Sequence, residues 1–78
     1  MADTHEKLLD VRTLAPYERH KIIFAELGAL EAGSAILLVN DHDPKPLYYQ
    51  IQAEHAGEYS WVPAVEGPTE WRIIITKL

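Results

Sequence analysis

The stretch SAILLVN, residues 34–40, holds an unbroken apolar run between Ser34 and Asn40. The run is too short for a buried helix and contains β-branched residues, so it predicts a strand. Successive side chains of a strand point to opposite faces, and here both sets are apolar. We therefore expect a central strand that is buried on both faces, with other elements of the chain covering it.

The segments before this run change from strand to helix pattern. Residues 7–12, KLLDVR, predict a short strand. Residues 15–33 predict a helix, and Pro16 suits its first position because the missing N–H costs no hydrogen bond there. Apolar residues recur at helical spacing along one face of this segment, at Ile23, Leu27 and Leu30.

The segments after the run predict a second helix and a hairpin. Residues 43–57 predict the helix, with Asp43 as N-cap and Pro44 in the first position. Residues 58–66 and 71–78 predict strands joined by a Gly67-Pro68 turn. Along the first of these strands, alternate residues share one side: Tyr59, Trp61, Pro63 and Val65. Pro63 confines this strand to a sheet edge or a bulge.

The order βαβαββ predicts an α+β two-layer sandwich. Strands joined through a helix run parallel in one sheet, and both helices then cover the same face. We expect a four-stranded mixed sheet, with the last two strands antiparallel. The chain then forms a single domain over residues 7–78, after a flexible N-terminus at residues 1–6.

Charge and composition exclude several classes of function. The formal net charge is −5, and the seven Lys and Arg residues are scattered, so we expect neither nucleic-acid nor membrane binding. The absence of cysteine excludes disulfides, thiolate metal sites and cysteine nucleophiles. No apolar stretch approaches the length of a signal core or a membrane span, so we expect a cytoplasmic protein.

Polar side chains gather where the first two predicted strands end and the helices begin. Parallel strands bring such residues to the same edge of a sheet, where ligands bind. We name this set the rim and treat its members as ligand-binding candidates: Arg12, Arg19, His20, Asp41, His42 and Asp43.

The rim allows two kinds of ligand and one purely structural role. His20, Asp41 and His42 could hold a divalent metal ion, although the spacing matches no standard motif. The arginines and the two helix N-termini could instead hold a small anion. In the structural alternative, a partly buried His20 packs over the strand ends, and the aspartates satisfy loop and helix-cap N–H groups.

The aromatic residues are explained first by packing. We expect Trp61 and Trp71 to pair across the hairpin, with a ligand-stacking face as the alternative. Tyr48 and Tyr49 are adjacent on a helix, so only one can point fully inward and the other could contact a partner.

The chain resembles the TusA-like fold of small sulfur carriers across residues 8–77. Leu9-Asp10, Pro16, Gly33 and the segment Asp41–Pro44 match landmarks of those proteins. Ala15 stands where the carriers have cysteine, so persulfide transfer is excluded.

The chain is more similar to an uncharacterised bacterial branch of that superfamily, a domain of unknown function. Arg19-His20, Asn40–Leu47 and Gly67–Trp71 carry this resemblance. It implies cupin-like or haemerythrin-like protein partners and a link to anaerobic or nitrogen-oxide metabolism.

Three functions remain open from the sequence. The first is a non-enzymatic accessory module that holds a protein partner, small anion or metal at the His20/His42 rim. The second is a small metal-dependent enzyme, and the third is a docking relic of sulfur relay. We favour the first because a chain of 78 residues offers little enclosed space for catalysis.

Overall fold

The structure is a computed structural model and describes residues 6–78. Over these residues the elements follow the predicted order: β1 (Glu6–Asp10), α1 (Pro16–Gly28), β2 (Ala35–Asn40), α2 (Lys45–Glu54), β3 (Tyr59–Glu66) and β4 (Trp71–Lys77). The predicted flexible segment 1–6 lies outside the described residues except for Glu6, the first residue of β1.

The four strands form one mixed sheet in the order β1-β2-β4-β3. β1 pairs with β2 in parallel, and the other two pairings are antiparallel. The buried side chains of both helices join those on one face of the sheet in a single core, which confirms the predicted two-layer α+β fold. This core contains Val11, Ile23, Leu27, Ile36, Leu38, Leu47, Ile51, Ile73 and Ile75.

β2 occupies the centre of the sheet as predicted, but the helices cover only one of its faces. Ile36 and Leu38 face the helices and are 1% and 0% exposed. On the opposite face Leu37 is only partly buried, in register between Leu8 of β1 and Ile74 of β4. On that same face Val39 is 1% exposed, so the predicted burial on both faces holds at Val39 but not at Leu37, which only the side chains of neighbouring strands surround.

α1 begins at Pro16 as predicted but ends at Gly28 rather than at Gly33. The Leu30 N–H still donates to the Leu27 carbonyl, so the chain turns once more after the helix. Gly33 lies in the next turn with φ of 90°, and its N–H donates to the Lys77 carbonyl. The turn that follows the helix is thus held against the end of β4.

α2 begins one residue later than the sequence indicates. Pro44 is the N-cap residue, Lys45 is the first helical residue and Pro46 follows it. Asp43 lies outside the helix, and its carboxylate accepts a 3.1 Å hydrogen bond from the Lys45 N–H. Asp43 therefore satisfies a free N–H of the first turn, as predicted, but from the position before the cap.

β3 lies at the edge of the sheet, where a strand tolerates a proline. A bulge between Pro63 and Val65 breaks the predicted alternation, so Val65 does not continue the Tyr59, Trp61 and Pro63 side. The two tryptophans do not pair across the hairpin as predicted. Trp61 lies opposite Ile75 and Trp71 opposite Glu66, because the register places them at different ends of the pairing.

Candidate functional site

Arg19 is the structural centre of the rim. It lies on the first turns of α1 and is only 7% exposed. Its guanidinium donates to both Asp41 carboxylate oxygens, at 2.8 and 3.2 Å, and to the Asn40 side-chain oxygen at 2.8 Å. Further hydrogen bonds reach the Leu14 and Arg12 carbonyls, so Arg19 ties α1 to the end of β2.

The sequence holds a signal for this burial. Arg19 precedes Ile23 by four residues and Leu27 by eight, which places it on the buried stripe of α1. His20 lies beside that stripe and is exposed, so the expectation of a partly buried imidazole was wrong. A guanidinium on a long aliphatic stem can cover the apolar stripe while its head reaches the strand ends.

Asp41 links Arg19 to His42. The Asp41 carboxylate oxygen Oδ1 lies 2.8 Å from Nδ1 of His42. Hydrogen bonds from Arg19, and secondarily from His42, hold the pKa of Asp41 well below its usual range. Because an ionised carboxylate only accepts, the neutral His42 ring carries its proton on Nδ1 and leaves Nε2 as an acceptor.

His20 is oriented in the same way by a different partner. Its Nδ1 lies 3.1 Å from the Gln50 side-chain oxygen Oε1 on α2. The Gln50 amide nitrogen donates to Glu54 Oε2 at 3.2 Å, which fixes the orientation of the amide. Nδ1 of His20 is thus a donor, and Nε2 of the neutral ring is an acceptor. Sequence reasoning missed Gln50 because only packing of α1 against α2 brings it to His20.

The two histidines line the same small depression. Its volume is about 60 Å³, and its walls also include Pro16, Pro44 and Pro46. His20 and His42 therefore lie at one surface near the carboxyl end of β2, as the sequence predicts. A depression of this size admits about one amino-acid side chain, well below the ~300 Å³ of typical small-molecule pockets.

Two predicted rim residues direct their side chains elsewhere. Arg12 pairs with the Asp10 carboxylate at 2.7 Å and with Glu70 at 3.3 Å. The hydrogen bond from Arg12 lowers the pKa of Asp10 to about 2. Asp43 accepts from the α2 backbone and borders a different cavity. Arg12 and Asp43 thus do not join the histidine depression.

Metal binding by this chain alone needs more ligands than the rim gathers. In residues 6–78, no group of three or more His, Cys, Asp or Glu side chains is placed to hold a metal ion. Asp41, one of the predicted ligands, already has both oxygens engaged by Arg19. The Nε2 atoms of His20 and His42 have no hydrogen-bond partner within residues 6–78, so both remain available for a ligand.

A larger cavity lies on the other side of the α2 N-terminus. It has a volume of about 550 Å³, and Pro44 borders both it and the histidine depression. We name it the aromatic groove after four of its lining residues, Tyr48, Tyr49, Trp61 and Trp71. From the sequence, Trp61 and Trp71 were expected to pair and one of the adjacent tyrosines to face outward, but a common groove was not expected. The four residues lie on α2, β3 and β4, and only tertiary packing brings them together.

Neither helix of the described segment is suited to cross a bilayer. α1 has 13 residues and α2 has 10, against the ~20 apolar residues that a membrane-spanning helix needs.

Comparison with protein-family models identifies the chain at the level of its family. Residues 8–77 match the model of an uncharacterized conserved protein family, DUF2249. Comparisons with curated proteins and with solved structures gave no match. The relationship to TusA-like sulfur carriers stays a prediction. Because the matched region spans nearly all 78 residues, the chain belongs to the DUF2249 family of uncharacterized conserved proteins.

Proposed function

We propose that this domain is a non-enzymatic accessory module that binds a protein partner through His20 and His42. The observation that carries the proposal is the matched orientation of the two rings. Asp41 and Gln50 each bind an Nδ1 atom, and both rings line one depression. Two imidazole acceptors held in fixed tautomers suit a donor side chain of a partner, such as a hydroxyl or an ammonium group.

The ion pairs of the rim favour a protein partner over a small anion. Arg19 is bound by Asp41 and Arg12 by Asp10, so each predicted anion-binding cation already has a carboxylate. A free anion would have to displace a carboxylate that is tethered beside its arginine. A tethered group has the advantage of high effective concentration over a dissolved ion.

The walls of the depression also suit a protein surface. Exposed Pro16 and Pro46 present rigid apolar surface around the imidazoles, with buried Pro44 behind them, and little conformational entropy is lost when a partner orders them. Together they can receive one anchoring side chain at the centre of a larger contact.

We propose a cytoplasmic partner of the cupin-like or haemerythrin-like kind, within anaerobic or nitrogen-oxide metabolism. This choice rests on the sequence resemblance. The same resemblance implies a role near metal metabolism, and the imidazoles of His20 and His42 are groups that bind transition metals.

A metal ion completed by the partner is the second candidate. A histidine that ligates a metal through Nε2 commonly donates its Nδ1–H to a carboxylate or amide oxygen, which is the arrangement at both rim histidines. The two imidazoles would supply part of a coordination shell and the partner the remainder.

The test is calorimetric titration of this protein with cupin-like and haemerythrin-like domains from the same organism. We expect saturable binding that His20→Ala or His42→Ala weakens at least about tenfold, as for loss of a central polar anchor. The matched control is His55→Ala, at the far end of α2, where His55 contacts Glu58. No binding, or equal binding by all three variants, would reject the proposal.

The metal alternative is tested by adding Zn²⁺ to the same titrations. If the partner completes the site, Zn²⁺ tightens the complex of the wild-type protein and of His55→Ala but not of the two rim variants. An affinity that is independent of Zn²⁺ in the wild-type protein would reject metal sharing and leave direct protein contact.

A further inference from the structure

The aromatic groove has a ring geometry that differs from a stacking slot. The ring centroids of Tyr48 and Trp61 lie 5.2 Å apart with an interplanar angle of 64°. Tyr48 and Tyr49 lie 5.6 Å apart at the same angle. Rings at these distances and angles pack edge to face against one another, so these two pairs do not form the parallel slot that a planar ligand needs. A compact, rounded group can instead contact the parts of the aromatic faces that this packing leaves open.

The groove is large enough for a small organic ligand. Its volume of about 550 Å³ lies within the ~300–1,000 Å³ range of small-molecule sites. Part of its wall is rigid, since Ile73 belongs to the core and Trp61 packs against it. Tyr49, by contrast, is 61% exposed and presents its ring at the surface.

Two carboxylates give the groove a negative charge that no ion pair within residues 6–78 neutralises. Asp43 and Glu66 both line it, and neither belongs to an ion pair within residues 6–78. Asp43 accepts only the backbone N–H of Lys45. Lys45 is the single cationic lining residue, so the lining has a net charge of −1. Aromatic faces and unpaired carboxylates both attract cations.

We propose that the aromatic groove binds a small alkylated ammonium compound that carries a trimethylammonium group. The methyl groups contact the rings that line the groove, including Tyr48, Tyr49 and Trp61, whose faces attract the positive charge. Asp43 and Glu66 supply longer-range attraction, and Lys45 opposes it. This site is separate from His20 and His42, so it stands or falls independently of the proposed partner binding.

Choline and its neutral carbon isostere, 3,3-dimethylbutan-1-ol, test the charge requirement. The chain has two tryptophans and both line the groove, so intrinsic fluorescence reports occupancy. We expect a saturable fluorescence change with choline and at least about tenfold weaker binding of the isostere. The absence of saturation up to about 100 mM choline, or equal binding of the isostere, would overturn the proposal.

Three substitutions at exposed positions locate the site without endangering the fold. Tyr49→Leu should weaken choline binding by about three- to tenfold, since it removes one π face. Glu66→Gln should weaken binding and Lys45→Gln should strengthen it, each by about two- to threefold. Affinities unchanged in all three variants, or both charge variants shifting in the same direction, would contradict this placement.

Trp61→Phe and His42→Ala complete the set. Trp61→Phe keeps an apolar ring of smaller π area, so choline affinity should fall, with a modest fall in the thermal midpoint because Trp61 also packs against the core. His42 lies in the histidine depression, beyond Pro44, so His42→Ala should leave choline affinity unchanged. Loss of choline binding in His42→Ala with Tyr49→Leu unaffected would move the site to the rim and overturn the assignment.

Discussion

The histidine depression and the aromatic groove lie on opposite sides of Pro44, yet they use polar residues differently. At the depression, Arg19 and Asp41 neutralise each other, and the histidines are oriented by partners within the chain. At the groove, the Asp43 and Glu66 carboxylates have no ion-pair partner in the described chain. We infer that rim polarity mainly holds the fold together, whereas groove polarity is available for a ligand.

The largest expected effect of this difference is on the stability of the rim. Arg19→Met keeps the aliphatic stem but leaves the Asn40 oxygen and two backbone carbonyls without their guanidinium donor. We expect a loss of about 3 kcal/mol in the free energy of unfolding and a fall of about 15 °C in the thermal midpoint. Circular dichroism melts measure both.

The control for Arg19 is Arg12→Met at the edge of the same rim. Its ion pairs with Asp10 and Glu70 involve side chains that are 35–40% exposed. Solvent-exposed ion pairs contribute little, so the fall in midpoint should be much smaller. If the thermal midpoint falls equally in the two variants, the burial of Arg19 does not strengthen its contribution to stability.

The second effect concerns the groove side and is of intermediate size. A Cβ on Gly67 would lie 2.6 Å from the Trp71 ring, and the residue has φ of +70°. Gly67→Ala should therefore cost about 2 kcal/mol of unfolding free energy through backbone strain and displacement of the ring. It should also change Trp71 fluorescence and weaken choline binding.

Gly57→Ala is the matched control for Gly67→Ala. Gly57 has φ of +78°, but a Cβ there meets no atom within 4 Å. Only the backbone strain of about 1 kcal/mol should remain, with the groove unaffected. If both variants lose equal stability, the contact between Gly67 and Trp71 does not constrain the groove.

The smallest effect is the dependence of stability on pH. The pKa of Asp10 is lowered to about 2 by Arg12, and that of Asp41 is lowered further by Arg19 and His42. Their contribution to stability is complete above the unfolded-state pKa of ~3.9 and is lost as pH falls through the folded-state values. The thermal midpoint should thus fall between pH 4 and 2, a range set by the unfolded-state pKa of ~3.9 and the folded-state Asp10 pKa of about 2.

Asparagine variants identify which carboxylates cause this fall. Melts at pH 5 and pH 2, on either side of the ~3.9 reference pKa, should differ less for Asp10→Asn and Asp41→Asn than for the wild-type protein. Asp43→Asn removes a carboxylate that has no ion pair within residues 6–78 and keeps its acceptor for the Lys45 N–H, so it serves as the control. A pH dependence that is the same in all three variants would contradict the stabilising role assigned to Asp10 and Asp41.

Periodicity and proline placement predicted the fold class and most of its details. The apolar run at residues 35–39 indicated the central strand, and Pro16 marked the start of α1. The end of α1 was less predictable, since the helix stops at Gly28 and the expected Gly33 belongs to a later turn. Gly33 is fixed by the Lys77 carbonyl, which is more than forty residues away in the chain.

Sequence reasoning identified the rim residues but not their division of roles. The positions of Arg19 and His20 at the start of a helix did not show which of them would be buried. The spacing of Arg19 to Ile23 held that information, but a charged residue was not expected on the apolar stripe. Burial was possible because Asn40, Asp41 and two carbonyls satisfy the guanidinium.

The sequence alone determined the element order, the absence of cysteine chemistry and the gathering of polar residues at the carboxyl ends of β1 and β2. These follow from local patterns and from the rules of strand connection. Only the tertiary structure decided that Gln50 orients His20 and that Tyr48, Trp61 and Trp71 share one groove. Those contacts join residues on separate elements, and the packing angles and strand register that create them are not encoded in any local pattern.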